Sequence, residues 1–162
     1  MTPPRILVVD NDRQMVALLR RHLEREGFGV LEAAGGQEAV EILRNEDVDI
    51  VLTDLVMDEV GGLEVLAAAQ RERPGARVLL MTAFASLETA IEALRHGAYD
   101  YLTKPFKLAE ATLAIRRALD DRRLRQENER LRAAVERQYG FERLLGETPA
   151  MQAVLEKVRA VA

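Results

Sequence analysis

Five short apolar runs, each followed by a stretch with helical spacing, constrain this chain more than any other feature. The runs are Arg5–Val9, Gly29–Ala33, Asp49–Thr53, Arg77–Thr82 and Tyr99–Leu102. The first, third and fourth are rich in Leu and β-branched residues, with little polar alternation, as befits central parallel strands covered on both faces. Between them, residues 13–26 place Met15, Leu18, Leu19 and Leu23 on one side, with Gly27 as a left-handed stop. Residues 37–45 carry Ala39, Val40 and Leu43; residues 63–72 carry Leu63, Val65 and Leu66 and end before Pro74. Residues 87–96 follow Ser86, a good N-cap, and precede Gly97. Strand–helix alternation of this kind predicts right-handed crossovers and an α/β, doubly wound five-stranded parallel sheet. Ligands of such a sheet bind at the carboxyl ends of its strands.

The last helix is of another kind. It starts near Leu108 and meets no breaker until Gly140, a length on the order of 45 Å, too long to lie across one small domain. Residues 120–137 are strongly charged, and Leu124, Asn128, Leu131 and Val135 follow a 4-3-4 spacing, a short coiled-coil seam. Asn128 is then the single polar seam residue that fixes the register of a homodimer. A solvated single helix with charges paired at i,i+4 is the competing expectation. Beyond Gly140, a turn at Gly146–Pro149 precedes an amphipathic segment with Met151, Val154, Leu155 and Val158 on one face. That face is too small to be buried by itself, so residues 141–162 read as the opening of another domain.

The apolar fraction of 48% supports a core, and with 4% aromatics that core is mostly Leu, Val, Ile and Ala. A net charge of −4 argues against direct nucleic-acid binding. The absence of Cys excludes disulfides, thiolate metal sites and a Cys nucleophile. No apolar run approaches the ~20 residues that cross a bilayer, and no signal peptide is visible, so the expectation is a cytoplasmic protein with no membrane partner.

Chemistry gathers where the strands end. Asp10, Asn11 and Asp12 follow the first run, and Asp54 follows the third. Adjacent central strands bring these ends together, and a carboxylate cluster is costly unless a cation neutralises it. Oxygen ligands select Mg²⁺, and Mg²⁺ beside a strand-end Asp suits phosphoryl transfer. The fourth run ends in Thr82, a hydroxyl donor, and the fifth is followed by Lys104, a cation within reach of an anionic group. Pro105 holds Lys104 extended and permits a cis bond. Each residue taken singly has a bland explanation, a helix cap, a loop hydroxyl or a solvated charge. Four strand ends carrying matched chemistry do not. His22, on the polar side of the first helix, and His96 read as surface residues without metal-ligand company.

VVDND at 8–12, DLVMDEVGG at 54–62, MTAF at 81–84 and YLTKPF at 101–106 together resemble the receiver domain of two-component response regulators, over residues 5–119. The resemblance implies a flavodoxin-like sheet of order 2-1-3-4-5 and a receiver domain at 1–119. It implies that Asp54 accepts a phosphoryl group from a sensor histidine kinase. Asp10, Asn11, Asp54 and the Val56 backbone carbonyl would hold Mg²⁺. Thr82 and Lys104 would hold the phosphoryl oxygens, and Tyr101 would be the aromatic switch coupled to Thr82. Three departures stand out. Asn11 replaces the family's second acid, which predicts weaker Mg²⁺ binding, with Asp12 as a substitute ligand if the loop shifts. Asp58 stands where the family has Pro. Gly61 stands where it has a polar or acidic residue. Val56 and Phe84 flank the site with apolar groups that would shield an acyl phosphate from water.

The stretch from Leu124 to Ala162 resembles the linker, at 120–140, and the opening of the AAA+ domain, at 141–162, of sigma-54-dependent activators of the nitrogen-regulator type. A full-length parent of that type would engage sigma-54 RNA polymerase and DNA. The chain carries no G-x-x-x-x-G-K-[ST] loop and no visible DNA-reading element. The expectation is therefore no enzyme beyond self-phosphorylation. It is a phosphoacceptor that switches a dimer formed through receiver and linker helix. A phosphorylation-independent pseudo-receiver acting as a dimerisation module is the alternative, kept open by Asn11. A phosphatase of the haloacid-dehalogenase type is disfavoured, because Val56 occupies the place of its second Asp.

Overall fold

A computed structural model describes residues 2–84, 86–146 and 156–157. The turn expected at Gly146–Pro149 and the apolar face of Met151, Val154, Leu155 and Val158 lie outside the described residues. The elements alternate as expected: β1 (Arg5–Val9), α1 (Arg13–Arg25), β2 (Gly29–Ala33), α2 (Gly36–Asn45), β3 (Ile50–Asp54), α3 (Gly62–Glu72), β4 (Arg77–Thr82), α4 (Leu87–Arg95), β5 (Asp100–Thr103) and α5 (Leu108–Gly146). The five strands form one parallel sheet in the order β2-β1-β3-β4-β5.

The pleat sorts the strand residues into two cores. Leu7, Val9, Val51, Val78 and Leu80 face α2, α3 and α4, where they meet Leu43, Val65, Leu66, Ala69 and Ala93. Ile6, Val8, Ile50, Leu52, Leu79 and Met81 face α1 and α5, where they meet Val16, Leu19, Leu23, Ala111 and Ile115. Alternate residues of one apolar run thus serve opposite cores, which is why the central strands show no polar alternation. Each fully buried Leu or Ile contributes about 1.5–3 kcal/mol relative to an exposed one.

Helix ends follow local chemistry. Asp12 caps α1 by accepting from the Gln14 and Met15 N–H groups, and Ser86 caps α4 by accepting from Thr89 N–H. Gly27 and Gly97 both have positive φ, 95° and 97°, the left-handed conformation in which glycine has no steric penalty. Several expectations need correction. Leu18 is 48% exposed, and Val16 takes its place in the core. Asp49 precedes β3 rather than starting it, because its carboxylate and backbone are used at the sheet's amino edge. His22 is half-buried, not on a solvated face, and its Nε2 lies 2.7 Å from the Thr112 hydroxyl on α5. Gly140 does not stop α5, which continues to Gly146; one glycine costs only about 1 kcal/mol inside a helix.

The chain divides into two compact units, Met1–Arg122 and Arg123–Ala162. The first holds the sheet and the helices packed on it. In the second, Leu124, Leu131 and Val135 of the expected seam are 61%, 60% and 50% exposed, and Asn128 is exposed too. Among the described residues no helix is long and apolar enough to cross a membrane.

Candidate functional site

Strand register decides which side chains meet. Val9 lies opposite Thr53, so Asp10 and Asp54, one residue further on, leave adjacent central strands at the same level. Asp54 lies opposite Met81, which places Thr82 one step beyond it on β4. Thr82 lies opposite Thr103 on β5, and the Lys104 N–H donates to the Thr82 carbonyl at 2.8 Å. Lys104 is thereby tethered to the end of the sheet, beside the cis Lys104–Pro105 bond.

The Lys104 ammonium donates to Asp10 Oδ2 at 2.7 Å and to Asp54 Oδ2 at 3.3 Å. Two carboxylates therefore share one cation. Asp10 is the better served: it is 1% exposed, and its Oδ1 also accepts from the Asp12 N–H at 2.9 Å. Asp54 is left as the weaker partner. Burial pushes its carboxyl above the ordinary 3.8. Lys104 pulls it down, Asp10 pushes it up, and the hydrogen bonds from Lys104 and the Val56 N–H draw it down again, with a net rise. Burial opposes charge on Lys104, but the hydrogen bond and attraction of Asp10, followed by those of Asp54, hold it above 10.5. The site has more negative charge than its own cation satisfies.

The remaining candidates stand around this trio. Asn11 and Asp12 are exposed, and Asp12 is engaged through Oδ1 as the cap of α1. Thr82 is 4% exposed, and its hydroxyl accepts from the Phe84 N–H at 3.0 Å. Tyr101 is half-buried and lines, with Thr82, Leu55 and Ala90, a small cavity beneath α4. Val56 and Phe84 are well exposed, at 62% and 76%. Leu124, Asn128, Leu131 and Val135 belong to the other compact unit and form no part of this cluster. Gly62 escaped the sequence reading as a determinant of the site: an added Cβ would meet the Asp54 carbonyl oxygen and lie 2.7 Å from Leu55 Cα. The Gly61-Gly62 pair closing the loop after β3 was the available signal.

A hard divalent cation fits this donor set. The donors are all oxygen and the carboxylates carry surplus charge, to which Asn11, next to Asp10 in the chain, would add a neutral amide oxygen. Among the described residues, no three His, Cys, Asp or Glu side chains converge as a metal-holding group. Further ligands of such a cation would come from backbone or water, a common arrangement for Mg²⁺.

Residues 6–116 match the family described as the response regulator receiver domain. The chain is 37% identical over 158 residues to the alginate biosynthesis transcriptional regulatory protein AlgB of Pseudomonas aeruginosa, covering 98% of this chain and 35% of that protein. It is 34% identical over 158 residues to the regulatory protein AtoC of Escherichia coli, covering 98% of this chain and 34% of that protein. It thus spans about a third of the length of these curated relatives. Among solved structures, the CheY-like receiver domain protein of Methanospirillum hungatei is similar, with a TM-score of 0.73 and 31% identity, covering 76% of this chain and 99% of that one.

Proposed function

Because the chain belongs to the response regulator receiver family, we propose that Asp54 is its phosphoacceptor, charged by the phosphohistidine of a sensor histidine kinase. One observation carries this reading: Asp10 and Asp54, on adjacent strand ends, share the single Lys104 ammonium. An Asp54 carboxylate oxygen attacks phosphorus, the P–N bond to the kinase imidazole breaks, and its electron pair leaves with the imidazole. Lys104 then turns from the carboxylate to the phosphoryl oxygens, and the Thr82 hydroxyl donates to another. Asp10, Asn11, Asp54 and the Val56 carbonyl would hold Mg²⁺, which supplies positive charge to the transferring group when bound. Drawing Thr82 inward frees space next to Tyr101, which lines the same small cavity beneath α4.

The output runs through α5. Leu124, Leu131 and Val135, all exposed around Asn128, form the seam of a two-stranded coil with a second copy of the chain. The receiver then occupies residues 1–119, the linker 120–140, and residues 141–162 open an AAA+ domain of a sigma-54-dependent activator. That assignment is supported by the F-x-x-L-x-G-x-[ST]-P-x-M-Q-x-V pattern from Phe141 to Val154 and by relatives named as transcriptional regulatory proteins.

Intact mass after treatment with acetyl phosphate and Mg²⁺, beside an Asp54→Ala control, tests the chemistry. One phosphoryl group gained by the unsubstituted protein alone is the expected result. No gain in either would leave a pseudo-receiver that acts through its linker.

A further inference from the structure

The loop from Leu55 to Gly61 carries the Val56 peptide, whose N–H reaches the Asp54 carboxylate, yet none of its side chains is fully buried. Its position is set by the packing of Leu55, Met57 and Val60 against the core and by backbone hydrogen bonds. At its ends, Leu55 N–H donates to the Met81 carbonyl at 2.8 Å and Gly62 N–H to the Leu55 carbonyl at 2.9 Å. At its tip, Val60 N–H donates to the Asp58 carbonyl at 2.8 Å, closing a three-residue turn around Glu59, whose φ is +62°. Such a turn is uncommon for a non-glycine residue and needs external support.

That support comes from another part of the sheet edge. Gly36, the buried first residue of α2, lies against Val60 so closely that a Cβ there would collide with the Val60 carbonyl oxygen. The same Cβ would stand 2.6 Å from Val60 Cγ1 and 2.7 Å from its Cβ. Gly35, one residue earlier, has nothing within 4 Å of its Cβ position. Two adjacent glycines in one sequence thus meet opposite surroundings, and only the second is packed on the loop.

We propose that Gly36 is a positioning residue for the Asp54 site: the first turn of α2 braces Val60, and through the turn at Glu59 sets where the Val56 peptide stands relative to Asp54. The proposal rests on the reading of Asp54 as the phosphoacceptor and of the Val56 carbonyl as a Mg²⁺ ligand. It adds a control point on a helix that contributes no group to the chemistry.

Four single variants of the full chain separate positioning from mere stability. Gly36→Ala pushes the brace into the loop, and Val60→Gly withdraws it from the other side. Gly35→Ala adds a methyl in open space, and Leu43→Ala, two turns along α2 from Gly36, removes core packing. Amide shifts of Leu55–Gly62 in the metal-free protein and the Mg²⁺ dissociation constant are measured for each. Gly36→Ala and Val60→Gly are expected to move the loop amides and weaken Mg²⁺ binding by about tenfold, the usual size for a supporting residue of a metal site. Gly35→Ala is expected to leave both unchanged. Leu43→Ala is expected to lower the melting temperature with Mg²⁺ affinity intact. The proposal is overturned if Gly36→Ala loses stability but binds Mg²⁺ within about twofold of the parent. If Gly36→Ala does not fold, Val60→Gly decides alone, and unaltered Mg²⁺ affinity there overturns it. Failure of the phosphoacceptor reading is separate, because it appears as no phosphoryl gain by the unsubstituted protein whatever the loop amides do.

Discussion

The two edges of the sheet hold similar charged residues in opposite states. At the amino edge each of two carboxylates has a cation of its own. Asp49 accepts from the Arg5 N–H at 2.8 Å through one oxygen and pairs with Arg122 at 2.9 Å through the other. Arg122 also donates to the Gly75 carbonyl at 2.9 Å, and Arg77 pairs with Asp121 at 3.0 Å. At the carboxyl edge, Asp10 and Asp54 divide one ammonium between them. The amino edge uses its ions to close the fold and seat the last turn of α5 within the first unit. The carboxyl edge keeps an unmet demand for positive charge, which suits the Mg²⁺ site proposed above.

Removing the shared cation has the largest expected effect. Lys104→Ala leaves Asp10, almost wholly buried, without its counter-ion and is expected to cost about 3 kcal/mol in metal-free protein. Urea denaturation with and without Mg²⁺ checks it, with much of the loss recovered when Mg²⁺ is present. The Lys104 pKa is raised in the fold, so its contribution is complete below 10.5 and is lost only as pH climbs beyond that. A loss insensitive to Mg²⁺ would mean that the carboxylates do not present a metal site.

Arg122→Ala tests the amino edge in the same assay. It removes one hydrogen bond to a carbonyl and one partly exposed ion pair, for an expected cost of about 1.5 kcal/mol. Mg²⁺ is expected to leave this cost unchanged. Equal Mg²⁺ sensitivity for the Lys104 and Arg122 variants would erase the distinction between the edges.

The sequence announced the carboxyl edge more clearly than the amino edge, for a physical reason. Asp10, Asp54, Thr82 and Lys104 each stand at or just beyond the end of an apolar run, so strand period and parallel topology suffice to align them. Both cores were legible for the same reason, since the alternation of Ile6 and Val8 with Leu7 and Val9 needs only the pleat. Asp49, Gly75 and Arg122 lie far apart in the chain and join through loop geometry that no local pattern encodes. The partnership of His22 with Thr112 was hidden similarly, because it depends on how α5 lies against α1. The contact between Gly36 and Val60 was hidden most deeply, as a glycine shows what it makes room for only once the neighbour is placed.

The smallest expected effect has the opposite sign and bears most directly on the comparison. Asp54 is 13% exposed, and its carboxyl titrates above 3.8 in the fold. Between the unfolded and the folded pKa the native protein therefore holds a proton that the unfolded chain has released. The stability attributable to that carboxyl is present at low pH and is lost as pH rises through the folded pKa. Asp54→Asn removes the group that loses stability. Metal-free Asp54→Asn is expected to match the parent near pH 4 and to exceed it towards pH 7, by on the order of 1 kcal/mol or less. Thermal melting of both proteins across that range measures the divergence. Parallel pH profiles would show that Asp54 is as well compensated as Asp49, and the two edges would then differ in residues but not in charge balance. A growing advantage of the Asn variant, together with loss of phosphoryl gain, would identify the phosphoacceptor as a residue held at a cost to the resting fold.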